Sequence, residues 1–155
     1  MSKTVDLEVH VDNMRKATEK GMEKLISNTG GIIGLILSDS AKDLCPVAVE
    51  GGGSLKQSIV PIIPSRTGSG EVTMGMVAGA SSNVKYAVYQ EYGTGYKSDC
   101  AKHTPKLYWR YKSDRDGEWH TGHPQKPRRF MRKSYAQNEK NIENLLAGAF
   151  EEVLL

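Results

Sequence analysis

The stretch YAVYQEYGTGY, Tyr86–Tyr96, decides how the middle of this chain is read. Tyr86, Val88, Gln90 and Tyr92 alternate with Ala87, Tyr89 and Glu91, which predicts a half-buried strand, and Gly93-Thr94-Gly95 predicts the turn that ends it. Just upstream, EVTMGMVAGA (Glu71–Ala80) alternates Val72, Met74, Met76 and Ala78 with small or polar residues. The two strands are expected to pair antiparallel through Ser81-Ser82-Asn83. Before them, Ile59, Val60, Ile62 and Ile63 favour a strand, but Pro61 cannot donate to a ladder, so this one is expected at an edge.

Working outward, helices flank these strands. A long amphipathic helix is expected after Asp12 as N-cap, with Met14, Ala17, Met22, Leu25, Ile33, Ile36, Leu37, Ala41 and Leu44 at near-helical spacing, ending before Pro46. Gly30-Gly31 lies in its middle and predicts one helix bent there. After Pro127, a second stripe of Phe130, Met131, Tyr135, Ile142, Leu145, Leu146, Ala149, Phe150 and Val153 predicts a closing helix. Between strands and closing helix, KLYWRYKSDRDGEWHTG holds two aromatic runs around Asp116-Gly117, a hairpin expected to project, with Trp109 and Trp119 paired across it. The order predicts an α+β domain, residues 1–155, with a long N-terminal and a C-terminal helix on one face of a curved antiparallel sheet. Residues 1–11 are expected to be flexible, and residues 96–126 to form a projecting loop and hairpin.

The chain has 155 residues, 38% of them hydrophobic, and a mean hydropathy of −0.49, which suits one domain with a modest core. No run approaches the roughly 18 apolar residues of a membrane span, and the first residues lack the order of a secretory signal, so a cytoplasmic site of synthesis is expected. Cys45 and Cys100 are read as free thiols. The net charge of +3 is unevenly spread: Lys97–Lys133 holds eleven Lys and Arg against four acids, or +7, leaving −4 for the remainder. Such asymmetry suits an acidic partner surface or nucleic acid, against the ordinary alternative of a solvated face.

Chemical motifs are weak. GGGSLK (Gly51–Lys56) lacks the Gly-Lys-Ser/Thr order that converges amides and lysine on phosphate, and GSGEVTMG lacks the spacing of a dinucleotide fingerprint. Both are read as flexible connections. Cys100 and His103 with His120 and His123 form two pairs that a hairpin would bring to one zinc ion, weighed against polar-loop residues that bind nothing. No nucleophile elbow or His-Glu-x-x-His helix is present, and Glu91 beside tyrosines has no base partner, so no catalytic set and no cofactor is expected. Glu91 is read instead as a partner for a nearby cation. Tyr108, Trp109, Arg110, Tyr111, Lys112 and Trp119 interleave rings with cations, the composition of a nucleic-acid stacking platform.

Three segments in order resemble the head-tail joining or tail-completion family of long-tailed bacteriophages, the gene-product-ten-like minor structural proteins. AKDLCPVAVEGGGSLKQSI (Ala41–Ile59) is similar to that family's helix end, Pro-Val, Gly and Leu-x-x-Ser-Ile; YAVYQEYGTG (Tyr86–Gly95) to its Tyr-Ala-x-x-x-Glu-aromatic-Gly-Thr; and HTGHPQKPRRFMRKSYAQN to its Thr-Gly and Pro-Phe-Leu-x-Pro-Ala close. The resemblance covers roughly Ala17 to Leu154, with Ala48-Val49 in place of the usual Asp-Thr and the Pro-Phe step spread into PRRFM. It implies a virion structural protein of the tail or neck, assembled in the bacterial cytoplasm. By the same resemblance the working form is a six-fold ring between the head-side connector or head-completion protein and the tail tube protein; the loops Gly51–Gly53, Gly68–Gly70 and Tyr96–Lys106, expected to become ordered only on docking, make a monomer the expectation for the isolated chain. Tyr89, Glu91, Tyr92, Gly93, Thr94, Gly95, Trp109, Arg110, Trp119, Arg128 and Arg129 are the expected interface, the +7 segment meeting the N-terminal helix of the next copy or an acidic neighbour. Nucleic acid is incidental in this reading, and a small basic nucleic-acid-binding module is the alternative.

Overall fold

The periodic apolar positions of the first segment do form one helix, α1, Leu7–Leu44. It starts earlier than Asp12, because Leu7, Val11 and Met14 already continue the three-to-four spacing, so Asp12 lies inside the helix. The computed structural model describes residues 7–47, 53–68, 71–79, 84, 86–100, 106–113 and 116–154, without the side chains of 7–15, 17, 153 and 154. Residues 1–6, Gly51, Gly52, Gly70, the Ser81–Asn83 turn and His103 therefore lie outside the described residues, as do the side chains of Met14, Ala17 and Val153.

After α1 comes a short helix, α2 (Ser54–Gln57), where the sequence read as a connection into a strand. Leu55 and Ile59 are both buried while Gln57 between them is exposed, a burial period of four that fits a helical turn and not a strand. Strand β1 (Val60–Arg66) pairs antiparallel with β2 (Val72–Val77), from Val60 opposite Val77 to Arg66 opposite Val72. The register shifts between Ile62 and Ser65, the interval that holds Ile63 and Pro64. With Pro61 and Pro64 in it, β1 sits at an edge as expected, since proline has no N–H for a further ladder.

Tyr86–Tyr92 corrects the reading that opened the sequence. It is a helix, α3 (Ala87–Tyr92), and β2 has β1 as its partner. The buried positions are Ala87 and Glu91, four apart, whereas Tyr89, which a strand would place on the same face as both, is 50% exposed. Period two and period four agree over the first few residues of so short a segment, and burial chose four. A 3₁₀ turn (Gly95–Lys97) follows, then the hairpin β3 (Trp109–Lys112) with β4 (Trp119–Gly122), and finally α4 (Phe130–Leu154). The class is α+β, as expected, with helices packed against two small antiparallel sheets of two strands each.

The C-terminal half of α1 is the spine of the core. Ala41 and Cys45 pack with Leu55, Ile59, Val84, Ala87 and Phe130, while Ile33 and Leu37 pack with Ile142 of α4. Burial raises the pKa of the Cys45 thiol, against the opposing pull of Lys56, so it serves as a small apolar group. The fully buried Ser134 hydroxyl donates to the Leu37 carbonyl at 2.8 Å, tying α4 to α1. Tyr135 and Phe150, expected inside, are 51% and 46% exposed, because the apolar stripe of α4 is wider than the surface α1 offers.

Gly30 and Gly34 explain how the first sheet lies so close to α1. A Cβ on Gly34 would stand 2.8 Å from the Gly75 carbonyl oxygen and 3.0 Å from Pro61 Cβ, and one on Gly30 would stand 2.9 Å from Pro64 Cγ. The glycines four apart form a groove in α1 into which the proline-bearing strand fits. Gly31 has open space around it.

Candidate functional site

Two neighbouring regions hold the sequence-predicted interface residues: a joint between α3 and α4, and a groove between α3 and the β3–β4 hairpin. The joint exists because α4 begins without a capping side chain of its own. Its N-cap position is Arg129, which has a positive φ of 56° that costs a non-glycine residue about 1 kcal/mol, and an arginine cannot accept from the first amides. Glu91 does so from α3: its carboxylate accepts the Met131 amide at 2.9 Å and the Arg132 amide at 3.2 Å. A carboxylate at a helix N-terminus also meets the positive end of the dipole.

The same carboxylate accepts from Arg132 Nε at 2.9 Å, and the Arg132 guanidinium also donates to the Glu91 carbonyl at 3.1 Å and to Asp99 at 2.9 Å. Its Cζ lies 4.8 Å from the centre of the Tyr92 ring, and Arg129 Nε donates to Asp99 at 3.0 Å. The hydrogen bond to Glu91, chiefly, raises the Arg132 pKa and keeps the group charged. Desolvation works against the charged form of Asp99, yet hydrogen bonds from Arg132 and then Arg129 outweigh it and hold the carboxyl below its ordinary range. Glu91, 4% exposed, is thus a cation's partner and a helix cap.

The glycine turn closes the joint from the other side. Gly93 has φ 78°, and a Cβ there would stand 2.6 Å from the Gln125 carbonyl oxygen and 2.8 Å from Pro127 N, so only glycine fits. The Thr94 amide donates to Gln125 O and the Gln125 amide donates back to Thr94 Oγ1, both at 2.9 Å. Tyr96 N–H donates to Lys106 O at 3.2 Å.

Above that turn lies an open groove of about 820 Å³, whose lining includes Tyr86, Tyr89, Lys106, Trp109, Arg110 and Tyr111. Thr94, Gly95 and His123 also line it, and among the described residues no carboxylate does. The groove is therefore aromatic and cationic. Tyr86, Tyr89 and Tyr111 are 41%, 50% and 48% exposed, a density of open rings typical of surfaces that receive a partner.

Of the expected interface, Tyr89, Thr94, Gly95, Trp109 and Arg110 are brought together here. Glu91 and Gly93 are buried in the joint, Tyr92 and Arg129 cover it, Arg128 is exposed beside it, and Trp119 is on the outer hairpin strand. Trp109 and Trp119 are not partners, which corrects the sequence reading: Trp109 lies opposite Gly122 and Trp119 opposite Lys112. The register is set by the turn, where Gly117 takes φ 73° and Ser113 N–H donates to Glu118 O at 2.9 Å. The Trp109 indole consequently covers the Cβ-less Gly122, and Trp119 faces the Arg110 guanidinium at 5.6 Å instead.

Among the described residues no three metal-type ligands gather, and His103 is outside them. His120 lies 2.9 Å from Asp116 Oδ2 and stacks on Tyr111 at 5.8 Å between centroids, while His123 lines the groove. The groove residues Tyr86, Lys106, Tyr111 and Gln125 were not in the expected set; the only local signal for them was the ring-and-cation composition around Trp109. Comparison with protein-family models, curated proteins and solved structures returned no match.

Proposed function

We propose that this chain is a non-enzymatic assembly protein of a bacteriophage or prophage, completing the tail or neck as a ring and joining it to the head-side connector. What supports the reading is the ordered set of three segments that resemble the tail-completion family, together with the place those segments take in the fold. Ala41, Cys45, Leu55 and Ile59 from the first, Ala87 from the second and Phe130 from the third share one core cluster. Glu91 of the second caps the helix that the third begins. Residues that are far apart in sequence thus form one structural unit, as the parts of a single family signature should. The exposed aromatic groove beside it suits a protein whose work is contact.

The test is genetic. Particles assembled without this chain should give filled heads and finished tails that do not join; joined, infectious particles would refute the proposal. A second reading is favoured by two ring and cation pairs, Arg110 on Trp119 at 5.6 Å in the hairpin and Lys97 on Tyr96 at 5.5 Å in the 3₁₀ turn: a stacking surface for single-stranded nucleic acid. That surface would give a gel shift that weakens steeply with salt. No shift at low salt disposes of it.

A further inference from the structure

Among the described residues, the aromatic groove offers rings and cations without a carboxylate, and its complement is found on the same chain at the far end of α4. Residues 134–155 hold Glu139, Glu143, Glu151 and Glu152 against one cation, Lys140, a net −3 that is most of the −4 balancing the basic segment. The N-terminal helix, expected to be the acidic partner, is nearly balanced: six acids against five bases in Leu7–Leu44. The last turn of α4 has no basic residue, and Glu151 and Glu152 sit there at the negative end of the helix dipole, where anions are disfavoured within the monomer. Next to them Phe150 is 46% exposed.

We propose that the groove between α3 and the β3–β4 hairpin of one copy receives the last turn of α4 of a second copy, with Phe150 among the tyrosine and tryptophan rings and Glu151 and Glu152 facing Lys106 and Arg110. The proposal rests on the ring reading above for its biological purpose, and on charge and position for the contact itself. Within one chain the contact is out of reach. The Gln90 carbonyl at the groove accepts the Arg128 amide just before α4 begins, and the 25 residues of α4 carry its far end roughly 37 Å away. Groove and helix end therefore sit at opposite ends of the molecule, the arrangement that a head-to-tail, ring-closing interface requires. The charge pairs act mainly on encounter and specificity, and the phenyl ring among aromatics supplies the buried anchor.

The full-length chain, brought to its highest soluble concentration at low salt, is examined by sedimentation velocity and by carbodiimide coupling, which joins carboxylates to amines in contact. Self-association, with Lys106 coupled to Glu151 or Glu152 in the dimer band, is expected. R110E and the double variant E151K/E152K should each lose association at least tenfold without a melting temperature below wild type, and an equimolar mixture of the two should associate again. A strictly monomeric wild-type chain, or association untouched by either charge reversal, overturns the proposal. So does a gel shift with single-stranded DNA that E151K/E152K leaves unchanged while self-association is absent, since the groove would then belong to nucleic acid. If the mixture associates but particles lacking the chain still join, the contact stands and the assembly reading falls; the reverse outcome removes the contact alone.

Discussion

The α3–α4 joint and the β3–β4 hairpin are neighbours built on opposite terms. At the joint, Phe130 is fully buried, Glu91 is 4% exposed, and its carboxylate is spoken for by two amides and a guanidinium. On the hairpin, Trp119 is 60% and Tyr111 48% exposed, and the ladder between the strands is four residues long. An isolated two-stranded hairpin is marginal in water, so the hairpin depends on what covers it, while the joint depends on nothing outside the chain. Stability is therefore concentrated at the joint, and open aromatic surface on the hairpin.

The comparison breaks first at Phe130. Phe130→Ala should cost about 4 kcal/mol, a fall in Tm of roughly 10 °C, because it empties the centre of a cluster shared by α1, α2, α3 and α4. Thermal unfolding followed by circular dichroism measures it; a shift no larger than that of a hairpin variant would erase the distinction. Glu91→Ala should follow at about 3 kcal/mol, since two helix amides and Arg132 lose their acceptor together, with Glu91→Gln losing about half as much. Equal losses for the two variants would mean that charge alone, not the geometry of the cap, matters.

Gly34→Ala sharpens the comparison elsewhere in the core, with an expected cost of about 2 kcal/mol from the clash with Gly75 O. Gly31→Ala, in open space on the same helix, should instead stabilise by about 0.5 kcal/mol. Chemical denaturation of both resolves the pair, and the same sign for both would contradict the close packing. Trp119→Ala should change stability by less than about 1 kcal/mol, since it removes one exposed cation–π contact.

The smallest effect is read with pH. Asp99 has its carboxyl held below the ordinary range in the folded chain, so its contribution is present above the unfolded carboxylate pKa and is lost as pH falls through the lower, folded one. Asp99→Asn should therefore be less stable than wild type at neutral pH, and the gap should close in acid. A gap that stays constant down to acid unfolding would place the effect in packing rather than charge.

Much of this could be foreseen from residue order. The two long helices follow from sustained spacing over many turns, the edge character of β1 from its prolines, and the hairpin from Asp116-Gly117. Glu91 was legible as a cation's partner but not as the cap of a helix 40 residues away, because nothing local to α3 announces that α4 lacks its own. Gly30-Gly31 was read as a bend in α1, and the spacing of four between Gly30 and Gly34 was the overlooked sign of a close neighbour.

What the sequence determined by itself is therefore whatever depends on short-range period and turn chemistry: the class, the long helices, the hairpin turn and the lopsided charge. The tertiary structure alone decided that Tyr86–Tyr92 coils rather than extends, which strand β2 joins, and which rings share one groove. The physical reason is that a six-residue segment has too few residues for its own propensity to choose a period. Its conformation is settled by which side chains can be buried, and the surfaces that bury Ala87 and Glu91 come from segments distant in the chain.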